Sequence, residues 1–351
     1  MKSVWLNQAC LKLDNEAMTQ ATEHQTQLTK PPGALGQLEQ IAITLAAMQG
    51  KALPAVNNIQ ITVFAADHGI ANQGVSAFPQ AVTAEMIKNF SRGGAAINVL
   101  STINNAKLDV VNLGTAFPAE NLEGVTDKII AAGTDDFSQQ AAMSSEQCLA
   151  AMQVGADIVD KAIAENNDLF IAGEMGIANT TSATAIACAL LNIKAEDLAG
   201  PGTGLDKDGV SRKAEIINQA LALHNVSQDD ALLILQTFGG FEIAAITASY
   251  IRCAQIGLSV LVDGFISSIA ALLASKIKPG CEDWFLYAHA SAEPGHQTIM
   301  LALNAKPILD LGMRLGEGSG AAVAIPLIKS ACALHEKMAT FADAGVSEKS
   351  A

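Results

Sequence analysis

Aromatic residues make up only 4% of the 351-residue chain, and charged residues only 16%. With so few rings, a core has to be assembled from alanine, valine, isoleucine and leucine, which suits helices packed closely on a sheet. Basic residues are the scarcer charge: 21 Lys and Arg stand against 35 Asp and Glu, for a net charge of −14. Such a chain repels phosphate backbones and has no Lys/Arg cluster to offset the repulsion, which argues against nucleic acid as a partner. A membrane span is missing too, although the mean hydropathy is +0.28. The longest stretch without a charged side chain, Met175 to Ile193, opens with MGIANTTSAT, too polar for lipid. The first residues, MKSVWLNQACLKLDNEA, show no long apolar segment followed by a cleavage site. No signal peptide is read, and the expectation is a cytoplasmic protein.

Cysteine is present but without a pattern. Cys10, Cys148, Cys188, Cys253, Cys281 and Cys332 form no CxxC, and most lie among alanines and leucines, where a thiol packs as a small apolar group. Neither a disulfide scaffold nor a thiolate zinc site is indicated. Also absent are GxxxxGK[ST], a correctly spaced GxGxxG, HExxH and GxSxG. Kinase, dehydrogenase, zinc peptidase and serine hydrolase readings therefore lack support. There is no internal repeat and no low-complexity linker.

What is present is an alternation. Short apolar runs end in glycine or acid: IQITVFAAD (59–67), LDVVNLG (108–114), DLFIAGE (168–174), LLILQTFGG (232–240), LSVLVDG (258–264) and WFLYAHAS (284–291). Each is too short for an independent helix and too continuous for a half-exposed strand, so all six read as strands buried on both faces. Ala-rich segments of helical length separate most of them. The expected fold is α/β, a Rossmann-like open parallel sheet flanked by helices, over residues 55–310. Before it, Lys30-Pro-Pro-Gly33 breaks the chain, and Leu35, Leu38, Ile41, Leu45 and Met48 form a helical stripe. After it, Leu327, Ala331, Leu334, Met338 and Phe341 form another. The two ends, 1–54 and 325–351, are expected to pack together as a small helical domain.

In open parallel sheets ligands bind beyond the carboxyl ends of the strands. The residues there are Asp67-His68-Gly69, Gly173-Glu174-Met175-Gly176, Phe238-Gly239-Gly240, Asp263-Gly264 and Ser291. The segment AGEMGIANTTSATAIACALL (172–191) reads as strand, glycine turn and helix, with Asn179, Thr180, Thr181 and Ser182 as capping types. Free amides at such a helix start suit a phosphate. A second loop, GPGTGLDKDGVSRK (200–213), turns the main chain at Gly200, Gly202 and Gly204 and adds Lys213. Each loop is either a phosphate seat or an ordinary capped turn. His68 either lines the site or supports it by hydrogen bonding; the second reading is taken. In LGMRLGEGSGAAVAIPL (311–327), Glu317 sits among Gly316, Gly318 and Gly320. It is either a solvated loop acid or a general base held where substrate approaches the main chain closely.

Carboxylates (Glu174, Asp263, Glu317), glycine loops, one lysine and no evident metal suit a reaction whose leaving group departs unaided. Transfer of a ribosyl phosphate from a pyridinium nucleotide is such a case, since the base leaves as a neutral ring. The protein then holds the 5′-phosphate, lines a pocket for an aromatic base, and removes one proton from the incoming nitrogen.

The stretches KPPGALGQLE (30–39), FAADHGIANQGVSAFP (64–79), GEMGIANTT (173–181), GPGTGLD (200–206), GGFEIAAITA (239–248), VLVDGFISS (260–268), HASAEPG (289–295) and MRLGEGSGAA (313–322) span nearly the whole chain. In this order they closely resemble the nicotinate-nucleotide–dimethylbenzimidazole phosphoribosyltransferases of cobalamin lower-ligand synthesis. The resemblance implies a homodimer and two small-molecule substrates, nicotinate mononucleotide and 5,6-dimethylbenzimidazole or a related base. The products would be nicotinate and α-ribazole 5′-phosphate, with inversion at the anomeric carbon. No cofactor, metal, nucleic acid or membrane is implied. The general base falls on Glu317, which decides the alternative left open above, and Glu174 falls near the reacting groups. Phosphate and ribose binding falls on Gly176 and Lys213, with Gly202, Thr203 and Gly204 in a segment where members differ. The base pocket is assigned to Phe78, Met86, Asp263, Ser291, Leu315 and Gly316; for Met86 the competing reading is helix packing under the loop. Two other classes stay in view. One is a non-catalytic nucleotide sensor on the same fold. The other is a metal-dependent hydrolase using Asp67, His68 and Glu174.

Overall fold

The computed structural model describes residues 4–347. Six strands, β1 (Ile59–Ala66), β2 (Lys107–Gly114), β3 (Val125–Asp127), β4 (Leu169–Met175), β5 (Ser259–Val262) and β6 (Phe285–Tyr287), form one sheet. Every pairing is parallel and the order is β3-β2-β1-β4-β5-β6. Strand β1 is buried along its whole length, and β4 along all but Met175, because helices cover both faces. That is why their sequences are continuous rather than alternating. The order reverses between β1 and β4. Connections leave these two strands in opposite directions, so a crevice opens at their carboxyl ends. Asp67-His68 and Glu174-Gly176 lie there.

Two expectations need correction. The run at 232–240 is not a strand but the helix Ala231–Phe238. Asp230 caps it, accepting from the Leu233 N–H at 3.0 Å, and Ala231, Ile234, Leu235 and Phe238 are buried at helical spacing. The C-terminal stripe is also displaced. The helix Ser319–Lys337 buries Ala321, Ala324, Ile325, Ile328, Ala331, Cys332 and His335, while Leu327 and Leu334 are only half-buried. Met338 is already past its end. Alanines make up much of the inner face, beside Ile325, Ile328 and His335, and let this helix approach its neighbours closely. The short edge strand β3 has a single apolar residue, too little for a pattern to mark it in sequence.

The helix Gln37–Gln49 buries Ile41, Leu45 and Met48 as its stripe requires. It packs on Ser319–Lys337 and on Asn15–Gln27. The His335 ring locks this junction. Its Nε2 donates to the Ala52 carbonyl at 2.9 Å and its Nδ1 accepts from Gln25 at 2.8 Å. An isolated bridge joins Leu28 to Thr340. Of the segments expected to form the helical unit, residues 1–3 and 348–351 lie outside the described residues.

Candidate active site

A cavity of about 360 Å³ opens at the reversal point, within the range of small-molecule sites. One wall is the turn after β4. Ala178 takes a left-handed conformation, φ 76°, and caps the helix Asn179–Leu191 without a side-chain bond. The four candidate capping residues point elsewhere. The Asn179 amide donates to Glu174, the Thr180 hydroxyl accepts from Lys213 at 3.0 Å, and Ser182 bonds His68. Thr181 Oγ1 is buried without a partner among the described residues. Among the described residues no side chain caps this helix, and the cavity wall runs past its positive end along Gly176, Asn179 and Thr180.

The 200–206 loop forms the facing wall. A Cβ at Gly202 would stand 2.8 Å from Thr180 Oγ1, so only glycine allows the two walls to meet. Arg314 Nη1 donates to the Gly202 carbonyl at 3.1 Å, and Ser76 and Thr203 share a hydroxyl contact of 3.2 Å. Gly176, Gly202 and Thr203 line the cavity. Lys213 and Gly204 do not: Lys213 lies buried behind Thr180, with Nζ also donating to the Gly200 carbonyl at 3.3 Å. Burial lowers the Lys213 ammonium to about 8, against the opposing pull of Glu293.

The opposite end is apolar at its mouth and acidic at its floor. Phe78 and Leu315 are exposed at the rim, with half-buried Met86 between them and the core. Met86 thus both lines the cavity and packs against the core. Ser291 is held by its N–H, which donates to His296 Nδ1 at 2.9 Å; the His296 Nε2–H then faces the Ser268 hydroxyl at 3.2 Å. That tautomer is neutral, in keeping with burial lowering His296 to about 4.

Glu317 sits on the floor at φ 64°, between Gly316 and Gly318 at φ 86° and 83°. Its Oε2 accepts from the Ile97 N–H at 3.2 Å, at the start of the helix Ala96–Asn104. Among the described residues no donor holds Oε1. Burial pushes this carboxyl above its usual range, the Ile97 amide pulls it back, and Asp263 pushes it up again. The glycines around it accommodate the protein itself. A side chain at Gly316 would strike Glu174, one at Gly320 the His289 ring, and one at Gly173 of β4 the Glu317 carbonyl. Asp263 fixes the loop from below, accepting from the Ala321 N–H at 2.7 Å in the first turn of Ser319–Lys337. Burial raises Asp263, while His289, 3.8 Å away, and nearby amides lower it. Glu174 is pushed up to about 8, by burial first and then by Glu242, against the hydrogen bond from Asn179. Its surroundings thus favour the neutral form of this carboxyl.

The further residues that line the cavity include Asn179, His289, Glu293 and Arg314. The sequence reading assigns none of them to the site. The last three lie inside HASAEPG and MRLGEGSGAA, so motif membership was the available signal. The hydrolase set is already committed to structure. Asp67 accepts from the Ala116 N–H at 2.9 Å, and both nitrogens of His68 are engaged. Among the described residues no group of three or more His, Cys, Asp or Glu could hold a metal ion.

Residues 10–346 match the family model DBI_PRT, described as phosphoribosyltransferase. A Pseudomonas aeruginosa protein named nicotinate-nucleotide–dimethylbenzimidazole phosphoribosyltransferase is 53% identical over the full length of both chains. A Pseudomonas putida protein of the same name is likewise 53% identical over both full lengths. The crystal structure of CobT from Thermus thermophilus superposes with a TM-score of 0.91 at 40% identity, covering 95% of this chain and 100% of that one.

Proposed function

The chain belongs to the phosphoribosyltransferase family, and from that premise we propose that it transfers the 5-phosphoribosyl group of nicotinate mononucleotide to 5,6-dimethylbenzimidazole. The products are nicotinate and α-ribazole 5′-phosphate, the lower-ligand nucleotide of cobalamin. The donor's phosphate lies along the Gly176 turn and the 202–203 backbone, with Arg314 beside it and Lys213 behind Thr180. The acceptor lies between Phe78, Met86 and Leu315, over Glu317.

The acceptor's ring nitrogen attacks the anomeric carbon on the face opposite nicotinate. A carbon–nitrogen bond forms, the bond to the pyridinium breaks, and its electron pair returns to that ring. The configuration inverts. Glu317 takes the proton from the acceptor, and Glu174, neutral to about pH 8, adds no second negative charge beside it. The observation that carries this reading is Glu317 itself, a buried carboxyl held through one oxygen only, on the floor of a cavity with an apolar mouth. Two further parts rest on the family likeness, a homodimer and residence in the cytoplasm. A third, the division into residues 55–310 and a helical unit from 1–54 with 325–351, draws support from the His335 junction.

Chromatography after incubation with both substrates tests the function. Nicotinate and the benzimidazole nucleotide should accumulate in equal amounts; donor binding without nicotinate release would instead indicate a sensor.

A further inference from the structure

Behind the Gly176 turn lies a buried pair that takes no part in the chemistry above. His68 and Glu242 are both fully buried, with Nε2 of the one 2.6 Å from Oε1 of the other. The second ring nitrogen, Nδ1, is 2.9 Å from the Ser182 hydroxyl. Three elements thus converge on one imidazole. Glu242 comes from the first turn of the helix Phe241–Ile256, and Ser182 from the first turns of Asn179–Leu191. The turn lies against both the β1 end and the ring: a Cβ at Gly176 would stand 2.5 Å from the Ala66 carbonyl and 3.2 Å from Cδ2 and Nε2. On the far side, any side chain at Gly240 would strike Cε1. The His68 carbonyl accepts from Gln80 at 2.8 Å, next to the helix Ala81–Ser91 that brings Met86 to the cavity.

The turn needs such support. Ala178 is a non-glycine residue in left-handed backbone, a shape that persists only where its surroundings impose it. The Ile177 N–H is held by the Thr83 hydroxyl at 3.1 Å, Asn179 and Thr180 reach outward to Glu174 and Lys213, and Ser182 on His68 ties the first turns of the helix back to the core behind them.

We propose that His68, itself oriented by Glu242, is a positioning residue for the donor's phosphate: through Ser182 and Gly176 it sets the turn whose main-chain amides receive the anion. This rests on reading the Gly176 turn as the phosphate seat.

Ser182→Ala removes only the hydroxyl, and His68→Gln keeps a donor for Glu242 while losing the second contact. Each variant is assayed for turnover and titrated with inorganic phosphate by calorimetry, with thermal unfolding alongside. Ser182→Ala should raise the donor KM and the phosphate Kd about 5–10-fold, leaving kcat and the acceptor KM within about twofold. The double variant should lose no more than His68→Gln alone, because both changes remove one contact. Unchanged donor KM and phosphate Kd in Ser182→Ala, or a lowered Tm with no change in either, would overturn the proposal. If the unsubstituted protein binds phosphate but releases no nicotinate, the transfer reading fails, and the phosphate titrations still decide the role of His68.

Discussion

At the scale of single residues, the site concentrates costs that the fold would otherwise avoid. Glu317 holds left-handed backbone, worth about 1 kcal/mol against a non-glycine side chain, and buries a carboxyl. Glu317→Gly should therefore abolish turnover and raise Tm by about 2 °C, as water in the cavity takes over the Ile97 N–H. A fall in Tm would mean that the side chain stabilises the loop. Glu174 carries a related cost with a defined pH dependence. Its folded-state pKa, about 8, lies above the ordinary 4.5. The folded protein keeps this proton while the unfolded chain loses it, so the group removes stability as pH rises from 4.5 through 8. Glu174→Gln should match the unsubstituted protein in Tm near pH 4.5 and exceed it by several degrees at pH 8. A gap that shrinks as pH rises would contradict the assigned burial.

At the scale of elements, one short helix braces the Glu317 loop and the helix that follows it. The start of Ala96–Asn104 supplies the Ile97 N–H to Glu317, and its last residue supplies the Asn104 amide to the Ala322 carbonyl at 3.0 Å. That carbonyl is free because Pro326, inside Ser319–Lys337, has no N–H for the residue four positions earlier. Lys329 returns the contact, donating to the Asn104 carbonyl at 2.8 Å. The proline and the asparagine are thus one device. Asn104→Ala should cost about 1–3 kcal/mol in urea unfolding, the cost of a buried acceptor left unpaired. Adding Pro326→Ala should recover part of that loss, because an alanine N–H can reach the same carbonyl. Additive losses in the double variant would separate the two residues.

At the scale of the whole molecule, the sheet was legible wherever a strand is buried on both faces. Runs such as IQITVFAAD and DLFIAGE follow directly from that burial, and a cavity lined by Glu174 and Gly176 opens at the end of the second. Legibility failed where length and hydrophobicity alone had to decide. The run at 232–240 is apolar enough for a central strand, and only Asp230 and the spacing of its buried residues mark it as a helix. In Ser319–Lys337 Leu327 and Leu334 attracted attention, whereas the buried face is built from alanines, Ile325, Ile328, Cys332 and His335. The strand order, and with it the crevice between β1 and β4, is a long-range property that no local pattern carries. Glu317 was conspicuous from its glycines, yet its support by Ile97, Asp263 and Gly173 comes from segments 54 or more positions away in sequence, counted from Asp263 to Glu317. The molecule's net charge of −14 also posed a problem for an anionic donor. Burial that favours a neutral Glu174, with Arg314 on the Gly202 carbonyl and Lys213 behind Thr180, reduces it locally in the proposed reading.

The central claim is that Glu317 removes the acceptor's proton while the donor is held independently of it. The most direct measurement compares Glu317→Gln with the unsubstituted protein, using donor binding by calorimetry and nicotinate release in the presence of 5,6-dimethylbenzimidazole. The account predicts donor affinity within about twofold and turnover lower by roughly 10²–10⁴. Turnover equal to that of the unsubstituted protein would contradict it.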